Sequence, residues 1–246
     1  MSVFKDSIKA FFEGFLDIIF PRDCALCGKP AQLGVCEECE SNLAEFDHAY
    51  CPVCERALLP EEPFCTHHRD YPLSFVRPLA PFDEMYRELI HAVKYSNGVD
   101  VAKFLGVKIG ELISGEPIFD EYDVLVPVPL HRNRLLDRGY NQAEIIAVEA
   151  AKVCGKKVIK CVVRTRETLS QTKLSAVYRK INVKGAFKVV RSSAIRGKGV
   201  IIVDDVVTTG ATSSEVARVL RYAGATRVCA VCIAHPCLDD SRFYKV

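Results

Sequence analysis

The sequence predicts an α/β protein: a parallel sheet with helices on both faces, preceded by a small cysteine-rich domain stapled by metal. Three observations predict it. From residue 75 onward, apolar runs of strand length alternate with helical patterns, the order that builds parallel sheets. Between residues 24 and 68, seven of the chain's 12 cysteines and one histidine fall in four evenly spaced pairs. Near the C-terminus, VIIVDDVVTTGATSSE spans residues 200–215 and reads as buried strand, acidic strand end, hydroxyl-rich loop and helix start.

The chain begins with VFKDSIKAFFEGFLDIIF at residues 3–20, apolar at roughly helical spacing but interrupted by Lys5, Asp6, Lys9, Glu13 and Asp17. It is too charged for a membrane span, which needs about 20 apolar residues. Residues 1–20 are therefore expected to form an amphipathic helix packed on a partner surface, with peripheral membrane attachment as the alternative. The segment has neither an uninterrupted apolar core nor a small-residue cleavage site, so the protein is expected to be cytoplasmic. Its cysteines are then expected to be metal ligands or buried thiols rather than disulfides.

Residues 21–74 are expected to be a double zinc-binding domain. The pairs are Cys24-x-x-Cys27, Cys36-x-x-Cys39, Cys51-x-x-Cys54 and Cys65-x-x-His68. A C-x-x-C turn presents two thiolates to one tetrahedral ion. Sequential pairing gives one site from Cys24, Cys27, Cys36 and Cys39, and a second from Cys51, Cys54, Cys65 and His68. His67 competes for the last place. A segment this short has little core of its own, and structural zinc supplies about 10–16 kcal/mol of apparent binding free energy in small finger domains.

Residues 75–246 form the larger predicted domain. FVRPLAPF at 75–82 is expected to be an edge strand, where prolines are tolerated. Helices are expected at 83–95 and 99–114, either side of Ser96-Asn97-Gly98. A buried strand follows at 123–128, then a basic loop and a helix from Asn141 to Val153. A strand at 158–163, a short helix at 174–182, a strand at 200–204, a helix at 213–223 and a strand at 227–234 complete the alternation.

Charge is unevenly distributed behind a formal net of +2: residues 1–75 hold 6 Lys+Arg against 13 Asp+Glu, whereas residues 131–198 hold 17 against 4. Such a basic band favours a polyanionic partner, either a diphosphate or a nucleic acid.

The candidate site lies where strand 200–204 ends. Asp204 and Asp205 can accept hydrogen bonds from a diol or help to hold a divalent cation. Thr208, Thr209, Gly210, Ala211 and Thr212 lead into a helix whose free N–H groups would receive a phosphate. A receiver domain also places acids at strand ends, but does not explain the threonine-glycine loop. The stretch resembles the PRPP-binding motif of type I phosphoribosyltransferases (PRPP is 5-phosphoribosyl 1-diphosphate), in which two acids hold the ribose hydroxyls and the loop cradles the 5-phosphate. Pro127-Val128-Pro129-Leu130-His131-Arg132-Asn133-Arg134 and Arg138-Gly139-Tyr140-Asn141-Gln142 resemble that family's pyrophosphate loop, implying His131, Arg132 and Arg138 as diphosphate ligands alongside Mg2+.

Taken together, the cysteine knuckles, V-P-V-P-L-H-R…R-G-Y-N-Q-A, T-L-S-Q-T-K-L-S…R-K-I-N-V-K-G-A-F and V-D-D-V-V-T-T-G-A-T resemble the ComF family of bacterial competence proteins. The chain differs from the family's pattern at Lys173, where glycine is usual, and at His68, where the fourth knuckle usually ends in cysteine. The resemblance implies a type I phosphoribosyltransferase fold preceded by a zinc ribbon. It also implies a part in carrying incoming single-stranded DNA into the cytosol, beside a helicase and a recombination mediator. The middle block, Arg164 to Phe187, corresponds to a segment that closes over PRPP, with Arg179 and Lys180 as candidates for that contact and Arg179 for a catalytic part. The same basic residues could bind a nucleic-acid backbone. Two functions stay open: a PRPP- and DNA-binding competence factor, or an active enzyme that transfers ribose 5-phosphate to a nitrogen nucleophile.

Overall fold

The computed structural model describes residues 23–60, 62–95, 98–167 and 181–235. The helix expected at 3–20, most of that expected at 174–182, and Arg179 lie outside the described residues.

The described residues contain nine strands: β1 Ala49–Tyr50, β2 Ala57–Leu58, β3 Val76–Pro81, β4 Val124–Pro127, β5 Lys157–Val158, β6 Val162–Arg164, β7 Phe187–Val189, β8 Gly199–Val206 and β9 Arg227–His235. The α-helices are α1 Glu37–Glu40, α2 Glu84–Tyr95, α3 Val99–Gly115, α4 Arg132–Arg138, α5 Gln142–Cys154 and α6 Ala211–Tyr222. Seven strands form one sheet in the order β2-β1-β3-β9-β8-β4-β5. The pairs from β3 to β5 are parallel, and those involving β1 and β2 are antiparallel. The fold is α/β, as its sequence alternation implies.

Period-two alternation along β8 shows why helices cover both faces. Ile201 and Val203 belong to one apolar layer, with residues of α2, α3 and α5. Val200 and Ile202 belong to the other, with α6 and the β6–β7 ribbon. All four are fully buried. Under α3, Phe75, Phe119 and Tyr122 meet edge to face at centroid separations of 5.7–6.4 Å, a favoured aromatic geometry.

Three expectations change. The strand expected at the edge, β3, lies inside the sheet order, between β1 and β9. Its prolines are tolerated because β1 pairs with it only at Tyr50↔Val76, ahead of Pro78 and Pro81. The single strand expected at 158–163 divides into β5, on the main sheet, and β6, which pairs with β7 as a separate antiparallel ribbon. The basic loop after β4 contains α4, begun by His131, whose Nδ1 accepts from Asn133 N at 3.4 Å, and ended by Gly139 at φ +82°. A left-handed glycine is a common helix terminator.

Helices α3 and α5 pack closely through glycines on α3. A Cβ at Gly106 would stand 2.8 Å from the Ile146 carbonyl oxygen, and one at Gly110 would stand 2.8 Å from that of Ala150. Backbone cannot yield as a flexible side-chain tip can. Gly110→Val is expected to cost about 1–3 kcal/mol by overpacking, measured by urea unfolding, whereas Gly115→Ala, with open space around it, should be neutral or slightly stabilising.

Candidate functional site

The cysteine-rich segment brings its predicted ligands into two groups, Cys24, Cys27, Cys36 and Cys39, and Cys51, Cys54, Cys65 and His68, with donor atoms in each group within 4.8 Å of one another. Close approaches include Cys27–Cys36 at 3.5 Å, Cys54–Cys65 at 3.9 Å and His68 Nδ1 at 3.4 Å from Cys51. Thiolates sharing a tetrahedral zinc, with Zn–S near 2.3 Å, stand about 3.8 Å apart, so both donor sets fit a closed structural zinc site. His68, not His67, joins the second group. Burial opposes ionisation of Cys65, but hydrogen bonds from His68, the His67 backbone and neighbouring thiols bring its pKa down to about 6. The turns are built alike: Gly28 N donates to Cys24 O and Glu55 N to Cys51 O, both at 2.9 Å, with Gly28 at φ +73° and Glu55 at φ +58°.

Asp204 and Asp205 lie at the carboxyl end of β8, both about nine-tenths buried. The chain crosses from β4 to β5 on one side and returns to β8 on the other, so this end is the sheet's switch point, where ligands of such folds bind. The two carboxylates are not equivalent. Asp205 Oδ2 accepts from Lys94 Nζ and from Gln142 Nε2, each at 3.0 Å. Its Oδ1 accepts from Val206 N at 2.8 Å. Burial works against ionisation of Asp205, but the Lys94 ammonium outweighs it and holds the carboxyl below its ordinary range. Asp204 accepts from Asp205 N at 2.9 Å. Burial and the charge of Asp205 push its carboxyl well above the usual range. The two neighbouring carboxyls are therefore pushed in opposite directions, Asp204 toward its neutral form and Asp205 toward its charged one.

Beyond the acids, the loop 207–210 turns into α6. Gly210 occupies the N-cap position at φ +65°, and no side chain caps the helix. The N-cap residue of this 12-residue helix thus offers its first-turn N–H groups no side-chain acceptor of its own. Thr209 Oγ1 and Ser213 Oγ are shielded from solvent and find no hydrogen-bond partner among the described residues. Uncommitted hydroxyls beside an uncapped helix start suit a phosphate group.

On the other side of the switch point, Arg138 Nη1 donates to Gln142 Oε1 at 2.5 Å, and Asn141 caps α5 by accepting from Ala143 N at 3.1 Å. Arg138 is half-buried, its guanidinium 5.9 Å from the Tyr95 ring centroid. Arg132 is exposed on α4 and His131 is engaged as its cap. The structure thus joins Asp204, Asp205 and Arg138 in one neighbourhood, and sets Arg132 further out.

Lys94, Gln142 and Arg164 were not singled out as site residues from sequence. Lys94 closes α2 and reaches Asp205 only through tertiary packing. Gln142 sits in the Arg138–Gln142 motif, whose i, i+4 spacing was the available signal. Arg164 on β6 lies over the Phe187 ring at 5.5 Å. Burial and the like charge of Arg134 lower its pKa, with Asp204 opposing.

Residues 15–68 match the double zinc ribbon domain family and residues 135–242 the phosphoribosyl transferase domain family. Fold and site thus define a phosphoribosyltransferase-type α/β protein headed by a double zinc ribbon. DNA utilization protein YhgH of Escherichia coli K12 is 31% identical over 222 residues, covering 87% of this chain and 96% of that protein. Competence protein ComFC of Bacillus subtilis is 27% identical over 197 residues, 77% of this chain and 79% of that one. Competence protein F of Haemophilus influenzae is 34% identical over 108 residues, 43% and 47% respectively. The chain belongs to the ComF family.

Removing the Lys94 ammonium leaves a buried carboxylate short of its counter-charge. Lys94→Met is expected to cost about 2–4 kcal/mol at pH 7. At that pH Asp205 is ionised both folded and unfolded, so the pairing contributes in full. The contribution fades as pH falls below the ordinary carboxylate value of about 3.9 toward the depressed folded one. Denaturant unfolding of both proteins at pH 7 and pH 3 should show the gap narrowing in acid.

Proposed function

We propose that this protein binds PRPP with Mg2+ through the end of β8 and takes part in DNA uptake during natural transformation, acting in the cytoplasm. The observation that carries the reading is the pairing, within one loop, of a helix start with glycine at its N-cap and two buried acids at the strand end. One feature suits a 5-phosphate and the other a ribose diol.

In this reading Asp204 and Asp205 accept from the ribose hydroxyls. The N–H groups and hydroxyls of Thr208 to Thr212 hold the 5-phosphate, and Arg138 donates to the diphosphate, with His131 and Arg132 at the rim. The carboxylate oxygens are hard donors of the type Mg2+ prefers, and the ion, when bound, would neutralise the diphosphate. Arginine suits the latter task because its fork matches paired oxygens.

Support for the DNA role comes from relatives named for DNA utilization and competence and from the basic band at 131–198. Backbone phosphate contacts would make such binding salt-dependent and indifferent to sequence. No described helix is long and apolar enough to cross a membrane. A second reading, transfer of ribose 5-phosphate to a nitrogen nucleophile, is favoured by the Arg138–Gln142–Asp205 chain. That chain sets a donor for a departing diphosphate beside a ribose-binding acid.

Calorimetric titration of Mg–PRPP into the zinc-loaded protein tests the proposal. Binding is expected in the native chain and should weaken by at least about 100-fold in Asp204→Asn/Asp205→Asn, since each of the two lost charged hydrogen bonds is worth about 1.5–3 kcal/mol. A folded native protein that takes up no PRPP would defeat the proposal. Release of diphosphate on adding a nucleobase or amine would decide for turnover.

A further inference from the structure

We infer that the second metal cluster braces the phosphate-binding loop, with Tyr71 and the Tyr50–His235 pair as its positioning residues. The inference rests on the reading of residues 207–214 as a phosphate site.

Three contacts, made at three different points of the loop, carry it. Tyr50, the residue before ligand Cys51, lies against His235 with ring centroids 4.5 Å apart. His235 Nε2 in turn donates to the Thr208 carbonyl oxygen at 3.0 Å. Pro52, the residue after Cys51, stands against Gly210, close enough that a Cβ built on the glycine would lie 3.8 Å from the proline Cβ. Tyr71, whose N–H donates to the carbonyl oxygen of ligand His68 at 3.0 Å, donates its hydroxyl to Ser214 Oγ at 3.0 Å. The left-handed turn and the first helical turn are thus each contacted by a residue close in sequence to a ligand of the second cluster, and the beginning of the loop by His235, on which Tyr50 rests. His235 is almost wholly buried, and burial keeps its pKa near 4, so the imidazole bonds to Thr208 as a neutral donor at physiological pH.

A brace is needed here for a physical reason. An uncapped helix start and a positive-φ glycine do little to hold a loop by themselves, and fixing each residue's backbone costs about 1–2 kcal/mol of entropy. A metal cluster that folds its own knuckle can meet that cost from outside. The first cluster faces elsewhere. Its Gly34 packs on Val101 of α3, where a Cβ would come within 2.8 Å of Val101 Cγ2. A groove lined by Cys24, Ala25, His91 and Ala92 runs between it and α2. The two clusters therefore predict different effects on the site.

The test uses the full chain and three variants: Tyr71→Phe, Cys51→Ser and Cys27→Ser. Zinc content, amide hydrogen exchange at residues 207–214 and PRPP affinity are measured for each. Tyr71→Phe should keep both zinc ions and its melting temperature, speed exchange at 207–214 about tenfold and weaken PRPP binding about three- to tenfold, the worth of one hydrogen bond. Cys51→Ser should lose one zinc and the loop's protection together. Cys27→Ser should lose one zinc and leave 207–214 as in the native protein. Unchanged exchange at 207–214 in both Tyr71→Phe and Cys51→Ser would overturn the inference, as would equal loosening in Cys27→Ser. Were the native chain to bind no PRPP, the functional reading would fall while the exchange data still decided the brace.

Discussion

Two carboxylates on consecutive residues at the end of a buried strand cannot both be charged without a cation, and the site is organised around that constraint. Burial penalises each charge, and each raises the cost of the other. The protein meets this by giving Asp205 an ammonium, an amide donor and a backbone N–H, while burial and the charge of Asp205 push the Asp204 carboxyl well above its usual range. Lys94 comes from α2 and Gln142 from α5, so the charge state of one side chain depends on two helices standing correctly on the sheet. Those helices in turn belong to one packed layer: α3 lies closely on α5 through Gly106 and Gly110, and α2 shares the same apolar cluster.

Much of this was legible in the sequence, because it lay in local patterns. The strand at 200–204 announced itself by four consecutive β-formers, and β8 extends one residue before it and two beyond. The acids, the threonine-glycine loop and the cysteine pairs are contiguous motifs whose chemistry follows from spacing. What escaped was tertiary or lay at boundaries. Lys94 looks like any helix-terminal lysine until the fold sets it against Asp205. The run 158–163 carries one strand-like pattern, but β5 and β6 take different partners, and pairing is not written in a single segment. The helix at 132–138 was hidden by its arginines, which read as a phosphate loop, although Gly139 marks its end.

The cysteine-rich segment also proves less separate than its composition suggests. Its acidic character, net −7 over residues 1–75, and its lack of amphipathic period set it apart from the α/β part. Yet β1 and β2 extend the same sheet, Phe46 N donates to Leu79 O at 2.9 Å, and Tyr71 reaches Ser214. Metal-driven folding of a short segment and hydrophobic folding of a larger one here converge on a shared surface.

The outer strands carry a consequence for self-association. Unpaired strand edges can recruit other chains, yet both edges of this sheet are strands of two residues, β2 and β5. The longer β3 is exposed to that hazard only if β1 and β2 come away from it. Pro78 and Pro81 then matter in another way: lacking N–H donors, they deprive an incoming strand of a continuous ladder. An edge uncovered at β3 should therefore recruit further strands poorly.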